Sequence, residues 1–298
     1  MSDLTIFDGK AFSKKIALRV RKQVEELRAD HNLHPALAVV VVGNNQASQV
    51  YVRNKIKMCE ECGIRSIEYR RDADISEQEL LTLVYSLNEN SEVHGILVQL
   101  PLPKHISEET VIAAISPDKD VDGFNIINSG LLATGSDEAI IPCTPLGCLM
   151  MLEDYFQGDL AGKNAVIIGR SNIVGKPMAS LLLMRDCTVT VAHSKTQNIK
   201  EVCNKADILI AAAGCAHLVK KEWVKSGAVV IDVGINHIEQ EDGSQKLVGD
   251  VDFEDVKEIA GAISPVPGGV GPMTIACLMS NTITAACPLH KIDIPEVD

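Results

Sequence analysis

"ALAVVVVG", Ala36 to Gly43, is a continuous apolar run closed by glycine. A run of that kind fits a strand buried on both faces, as in parallel sheets covered by helices. The next stretch, "SQVYVRNKIKMCEECG" (48–63), predicts a helix to about Cys62 with Gly63 as its stop. "IRSIEY" (64–69) predicts a second strand. Ser76 to Glu79 spells a capping box ahead of "LLTLVYSL", so another helix follows. "HGILVQL" (94–100) is a third strand, ended by Pro101 and Pro103. Upstream, Ile16, Val20, Val24 and Leu27 recur at helical spacing. Strand, helix, strand, helix, strand predicts an α/β fold built on a parallel sheet.

Farther along, "SPDKDVDGFNIINSG" (116–130) and "IIPCTPLG" (140–147) are irregular, and a domain junction is expected near 143–150. "NAVIIG" (164–169) restarts the alternation. A helix is expected over 175–184, then "CTVTVAH" (187–193), a short helix after Asn198, "DILIAAAG" (207–214), a helix around Trp223, and "GAVVIDVG" (227–234). "INHIEQEDGSQKLVGD" (235–250) predicts a hairpin turning at Asp242-Gly243. The last apolar stretch (271–288) predicts a buried helix, opened by Pro272, stopping before Pro288 and returning to the first domain. Two parallel-sheet α/β domains are therefore expected, with a cleft at the carboxyl ends of their strands.

The 298 residues are enough for two cores, and 3% aromatic content means those cores are aliphatic. A net charge of −12 argues against nucleic-acid or anionic-membrane partners. Nine cysteines without a framework spacing, behind a polar N-terminal segment, predict reduced thiols in the cytoplasm. No apolar run is expected to reach the length of a membrane span.

"VIIGRSNIVGKPMA" (166–179) joins a strand to a helix, the context of a dinucleotide site, although the strict glycine fingerprint fails after Gly169. On these residues alone a structural turn fits equally well. The following strand ends in "HSKT" (193–196), with no acid to hold a ribose diol. A hydroxyl and a cation there, with Arg170 in the first loop, suit a 2′-phosphate, so NADP is expected over NAD. Asp118, Asp120, Asp122 and Gly123 have calcium-loop spacing, but Ser129 stands where a bidentate Glu is needed. Cys59 and Cys62 form a lone CxxC inside a helix. No metal is expected. Tyr51 and Lys55 share a helical face, which with Arg53 and Lys57 also fits a plain solvated basic surface.

Several strings together change that balance. "YVRNK" (51–55), "GILVQLPLP" (95–103), "DKDVDGF" (118–124), "CTP" (143–145), "IDVGIN" (231–236) and "PVPGGVGPMT" (265–274) resemble, in order, the bifunctional methylenetetrahydrofolate dehydrogenase/methenyltetrahydrofolate cyclohydrolase family in its two-domain bacterial form. The resemblance implies a folate-binding catalytic domain over 1–145, joined by the C-terminal helix 271–288, and a Rossmann-like NADP-binding domain over 146–270. It implies a cytoplasmic homodimer that oxidises 5,10-methylenetetrahydrofolate with NADP and hydrolyses the methenyl product to 10-formyltetrahydrofolate, a one-carbon step that serves purine biosynthesis.

By the same resemblance Lys55 is the catalytic lysine, Tyr51 packs on the folate, and Gln99 tunes the lysine. Asp122 grips the pterin edge, and Leu100, Pro267, Gly268 and Gly269 line the folate site. Gly169, Arg170 and Ser171 lie by the pyrophosphate, with Ser194 at the 2′-phosphate, Ile235 at the nicotinamide and Thr144 also on the cofactor. Hydrolysis asks for proton movement at the attacking water and at the departing ring nitrogen. Amines titrate at about 10.4 in water, and burial beside a cationic ligand favours their neutral, basic form.

Overall fold

The computed structural model describes residues 4–240 and 243–297. Thr5–Ile6 (β1) and Gly9–His31 (α1) precede Ala36–Val42 (β2), Gln46–Cys62 (α2), Arg65–Arg71 (β3), Glu77–Glu89 (α3), Gly95–Val98 (β4), Glu108–Ala114 (α4) and Ile126–Ala133 (α5). Cys143–Tyr155 (α6) leads to Asn164–Ile168 (β5), Gly175–Leu183 (α7), Thr188–Ala192 (β6), Ile199–Cys203 (α8), Ile208–Ala211 (β7) and Val229–Asp232 (β8). Asn236–Glu239 (β9), Gln245–Val248 (β10), Phe253–Val256 (α9), Ala262–Ile263 (β11) and Val270–Leu289 (α10) complete the order. The chain divides into two compact units, Lys14–Cys143 with Ile275–Asp298, and Met1–Ser13 with Thr144–Thr274.

The first unit holds a three-stranded parallel sheet, β3-β2-β4, in which Val40 lies opposite both Tyr69 and Val98. All seven residues of β2 are buried, as its unbroken apolar run requires. Ala38, Val40, Ile96 and Val98 pack with Leu80, Val84 and Leu87 of α3. The capping box forms: Ser76 accepts from Glu79 N–H, and the Glu79 carboxylate accepts from Ser76 N–H. Helix α2 is capped by Asn45, whose side chain accepts from Ser48 N–H, and it ends at Gly63 in the left-handed region (φ 76°).

The second unit holds a six-stranded sheet in the order β1-β11-β8-β7-β5-β6, every neighbouring pair parallel. Antiparallel β9 and β10 form a separate hairpin; Asp242, named for its turn, lies outside the described residues. The N-terminal strand is a departure from expectation. Thr5 pairs with Ala262 and Ile6 with Ile263, so the first residues complete the second unit's sheet instead of lying with the rest of 1–145.

Other differences are local. Segment 116–130, expected to be irregular, contains the start of α5, because Asn125 caps it by accepting from Ile127 N–H. The junction region is helical (α6), and the helix expected at Trp223 is a single 3₁₀ turn, Lys221–Trp223. Helix α10 runs one residue past Pro288, to Leu289, instead of stopping before the proline. This helix is also long and apolar enough to cross a membrane by length and composition, which corrects the expectation that no run reaches that length. Two thirds of its apolar window (67%) is buried within the protein, as in a core helix.

Candidate active site

In the first unit the chain passes from β2 to β3 on one side and returns to β4 on the other. The strand order reverses there, and ligands of open α/β sheets bind outside the carboxyl ends at such a reversal. Gln99 is the first residue beyond β4, with its N–H fixed to Val40 O at 2.9 Å. Its side-chain NH₂ donates to Leu100 O at 2.7 Å, which orients the amide so that Oε1 accepts from Lys55 Nζ at 3.1 Å. Lys55 is 8% exposed, while Arg53 and Lys57 beside it on α2 lie in solvent. The solvated-face reading therefore fits its neighbours and fails for Lys55. A lysine is almost never buried unless it is partnered, and this one is held by an amide carbonyl.

Asp122 reaches the same edge by another route. Asp120 bridges Ile96 of β4 in parallel, and Asp122 follows it in the turn just beyond. Desolvation raises the Asp122 carboxyl above the usual range, and the Lys55 ammonium opposes that rise. The amine and carboxylate thus feel one another across a partly dry space. Asp120 points inward, accepting from Asn125 N–H at 2.7 Å and Asn128 Nδ2 at 3.1 Å. Burial pushes it up to about 6. Of the three alternating aspartates, Asp118 is exposed, Asp120 is a buried structural carboxylate and Asp122 is half-buried at the site. Tyr51, one turn before Lys55, is 38% exposed, and Leu100 is half-buried.

Sequence reasoning missed the residue that braces this loop. Asn281 of α10 is buried and donates to Val121 O at 2.9 Å and Ile141 O at 2.8 Å, tying both ends of the Asp122 segment together. The available signal was a single amide within a helix that carries no charge and only hydroxyls as its other polar side chains. Cys143 Sγ donates to Val121 O at 3.3 Å, and burial raises its thiol well above the ordinary value, so it packs here as a neutral group. None of the nine cysteines is disulfide-bonded among the described residues.

In the second unit the strand order reverses at β5, between β6 and β7. The loop after β5 begins with Gly169 at φ 131°, where a Cβ would stand 2.1 Å from Ala212 O. A Cβ on Gly175 would stand 2.3 Å from Gly169 O. The turn closes only because both side chains are absent, which leaves main chain exposed to a close-approaching ligand. Ser171 Oγ accepts from Val174 N–H at 3.1 Å and Gly175 N–H at 3.4 Å, heading α7, and a hydroxyl that accepts can still donate its proton.

At the end of β6, His193 N–H donates to Thr196 Oγ1 at 2.9 Å, closing a turn that leaves Ser194 and Lys195 exposed. Arg170 is exposed too. Among these tips there is no carboxylate, so a phosphate monoester is favoured over a bare ribose diol, and the residues fit NADP. Ile235 is 48% exposed just after Gly234. Thr144 Oγ1 lies 2.9 Å from Thr274 Oγ1. Pro267, Gly268 and Gly269 cluster with this unit by contact; Gly268 has φ 106°, and Gly269 is buried against Pro265 O. The structure therefore brings Lys55, Gln99 and Asp122 together in one unit. The cofactor residues and the Pro267–Gly269 turn lie in the other.

Comparison with known proteins adds a family to this geometry. Residues 7–122 match the tetrahydrofolate dehydrogenase/cyclohydrolase catalytic domain, and residues 142–289 match the NAD(P)-binding domain of the same enzymes. The chain is 57% identical over 298 residues to the bifunctional protein FolD of Paramagnetospirillum magneticum, covering 100% of each chain. It is 56% identical over 295 residues to FolD 1 of Roseobacter denitrificans, covering 98% of each. The crystal structure of FolD from Campylobacter jejuni superposes with a TM-score of 0.90 at 49% identity, over 95% of this chain and 98% of that one. The dehydrogenase-cyclohydrolase of Trypanosoma brucei, solved with NADP and an inhibitor, gives 0.89 at 38% identity, over 96% and 98%.

Proposed function

The chain belongs to the tetrahydrofolate dehydrogenase/cyclohydrolase family, and from that premise we propose how its own residues divide the work. It is a bifunctional enzyme of one-carbon folate metabolism, oxidising 5,10-methylenetetrahydrofolate with NADP and hydrolysing the methenyl product to 10-formyltetrahydrofolate. Bound NADP supplies the hydride acceptor. Gly169, Arg170 and Ser171 hold its pyrophosphate, Arg170 and Ser194 its 2′-phosphate, Thr144 a further part of the cofactor, and Ile235 its nicotinamide through main chain.

Lys55 carries the hydrolytic half. As water adds to the methenyl carbon, Nζ takes one of its protons. As the bond from the ring nitrogen to that carbon then breaks, the remaining hydroxyl proton passes to that nitrogen and the carbon becomes the formyl group, with one proton released overall. Gln99 fixes Nζ in position by accepting from it, so little rotamer entropy remains to be lost when the substrate arrives. Asp122 accepts paired N–H donors from the amino-pyrimidine edge of the pterin. Tyr51 stacks on the folate, and Leu100 and the Pro267–Gly269 turn complete its binding. The observation that carries this reading is the buried Lys55 amine at 3.1 Å from Gln99 Oε1, beside the Asp122 carboxylate.

A cytoplasmic homodimer that feeds purine biosynthesis is part of the proposal, supported by the family resemblance, and sedimentation of the pure protein tests its assembly. The catalytic reading is tested by supplying methylenetetrahydrofolate and NADP. NADPH should appear first and the methenyl absorbance should then decay. Methenyl that persists at its uncatalysed rate would remove the hydrolytic half.

A further inference from the structure

Asp250 is fully buried (0% exposed) and accepts four hydrogen bonds from amides. Its Oδ2 takes the N–H groups of Ala213 (2.6 Å) and Gly214 (2.9 Å), and its Oδ1 takes Cys215 N–H (2.8 Å) and the side-chain NH₂ of Asn236 (2.8 Å). The first three donors form the loop that leaves β7, beside the reversal at β5, and the fourth belongs to the residue after Ile235. One carboxylate therefore ties together two loops that flank the expected nicotinamide position.

A second carboxylate holds the first in place. Asp232, at the end of β8 and 3% exposed, accepts from Gly234 N–H, Asp250 N–H and Val251 N–H, each at 2.9 Å. The glycines around the pair are dictated by it: a Cβ on Gly234 would stand 2.3 Å from Asp250 Oδ1, and one on Gly249 would stand 1.8 Å from Asp232 Oδ2. A carboxylate that accepts several main-chain N–H groups fixes a loop rigidly, because each donor would otherwise be left buried without a partner.

We infer that Asp250 is the positioning residue of the nicotinamide end, setting the Ala213–Cys215 loop and the Ile235 main chain for hydride transfer without touching the substrate. The inference rests on the cofactor placement proposed above. It separates the two activities, because Asp250 lies in the second unit and the Lys55–Gln99 pair in the first.

The test is Asp250→Asn in the full-length enzyme, which turns one acceptor oxygen into a donor facing other donors. Three readouts are followed: dehydrogenase kcat, cyclohydrolase rate with methenyltetrahydrofolate supplied directly, and affinity for adenosine 2′,5′-bisphosphate, which fills only the other end of the cofactor site. The expected result is a fall in dehydrogenase kcat of about tenfold or more, with hydrolysis and bisphosphate affinity within about twofold of the parent. An unchanged dehydrogenase kcat overturns the inference. If the parent itself does not bind the bisphosphate, the cofactor placement is what fails. Should Asp250→Asn lose every activity together, Asn236→Ala decides, since it removes a single bond. A fall in dehydrogenase kcat alone sustains the inference, and parent-like kinetics overturns it.

Discussion

Lys55 Nζ donates to Gln99 Oε1 at 3.1 Å, joining the third turn of α2 to the carboxyl end of β4 across 44 residues of sequence. The bond places a buried amine at the end of the strand, where folate chemistry is proposed, and keeps it there by an uncharged partner.

Removing that partner should therefore slow hydrolysis. Gln99→Leu leaves a side chain of similar bulk that cannot accept from Nζ. We expect the cyclohydrolase rate to fall by about tenfold, the scale of one buried hydrogen bond. A rate matching the parent, measured by methenyl decay on the isolated variant, would show that the amide does not position the lysine.

The cofactor assignment makes a separate prediction. Arg170→Ala combined with Ser194→Ala removes the exposed groups proposed for the 2′-phosphate and leaves the glycine turn intact. The Michaelis constant for NADP should rise by at least about tenfold, with that for NAD nearly unchanged. Steady-state kinetics with both nucleotides checks this, and equal effects on the two would remove the 2′-phosphate argument.

A third prediction concerns acid stability. His94 is 3% exposed; its Nδ1 accepts from Ala36 N–H at 3.1 Å, and its Nε2 lies 2.9 Å from His290 Nε2. Burial, then His290, Lys119 and Arg65, push its pKa down to about 4, with Glu92 opposing. The folded state thus resists a proton that the unfolded chain takes up near 6.5. This contribution is complete above about pH 6.5 and is lost as the pH falls toward 4, a loss on the order of 3 kcal/mol. Urea unfolding at several pH values should show stability rising between pH 4.5 and 6.5, with a flatter rise in His94→Asn. Identical slopes in the two proteins would contradict it.

Much of the fold was legible because its signals are local. The seven buried residues of β2 announce themselves as an unbroken apolar run, and the Ser76–Glu79 box and Gly63 stop mark helix ends within four residues of the features they cap. The sheet edge was not legible. Thr5–Ile6 and Ala262–Ile263 are two residues each, too short for any period; the first is a strand only by pairing with the second, which in turn pairs with β8. The same limit applies at the sites. Family strings pointed to Lys55, Gln99 and Asp122, but Asn281 reaches Val121 from 160 residues away, and Asp250 gathers Ala213 from 37 residues upstream. Contacts of that range leave no mark on nearby residue spacing.

The most direct measurement uses Lys55→Met in the whole enzyme, an uncharged side chain of comparable length. Methenyltetrahydrofolate hydrolysis should drop to the uncatalysed rate while folate still binds, as titration calorimetry would register. A variant that binds folate and goes on hydrolysing the methenyl compound at a rate close to the parent's would contradict the account at its centre.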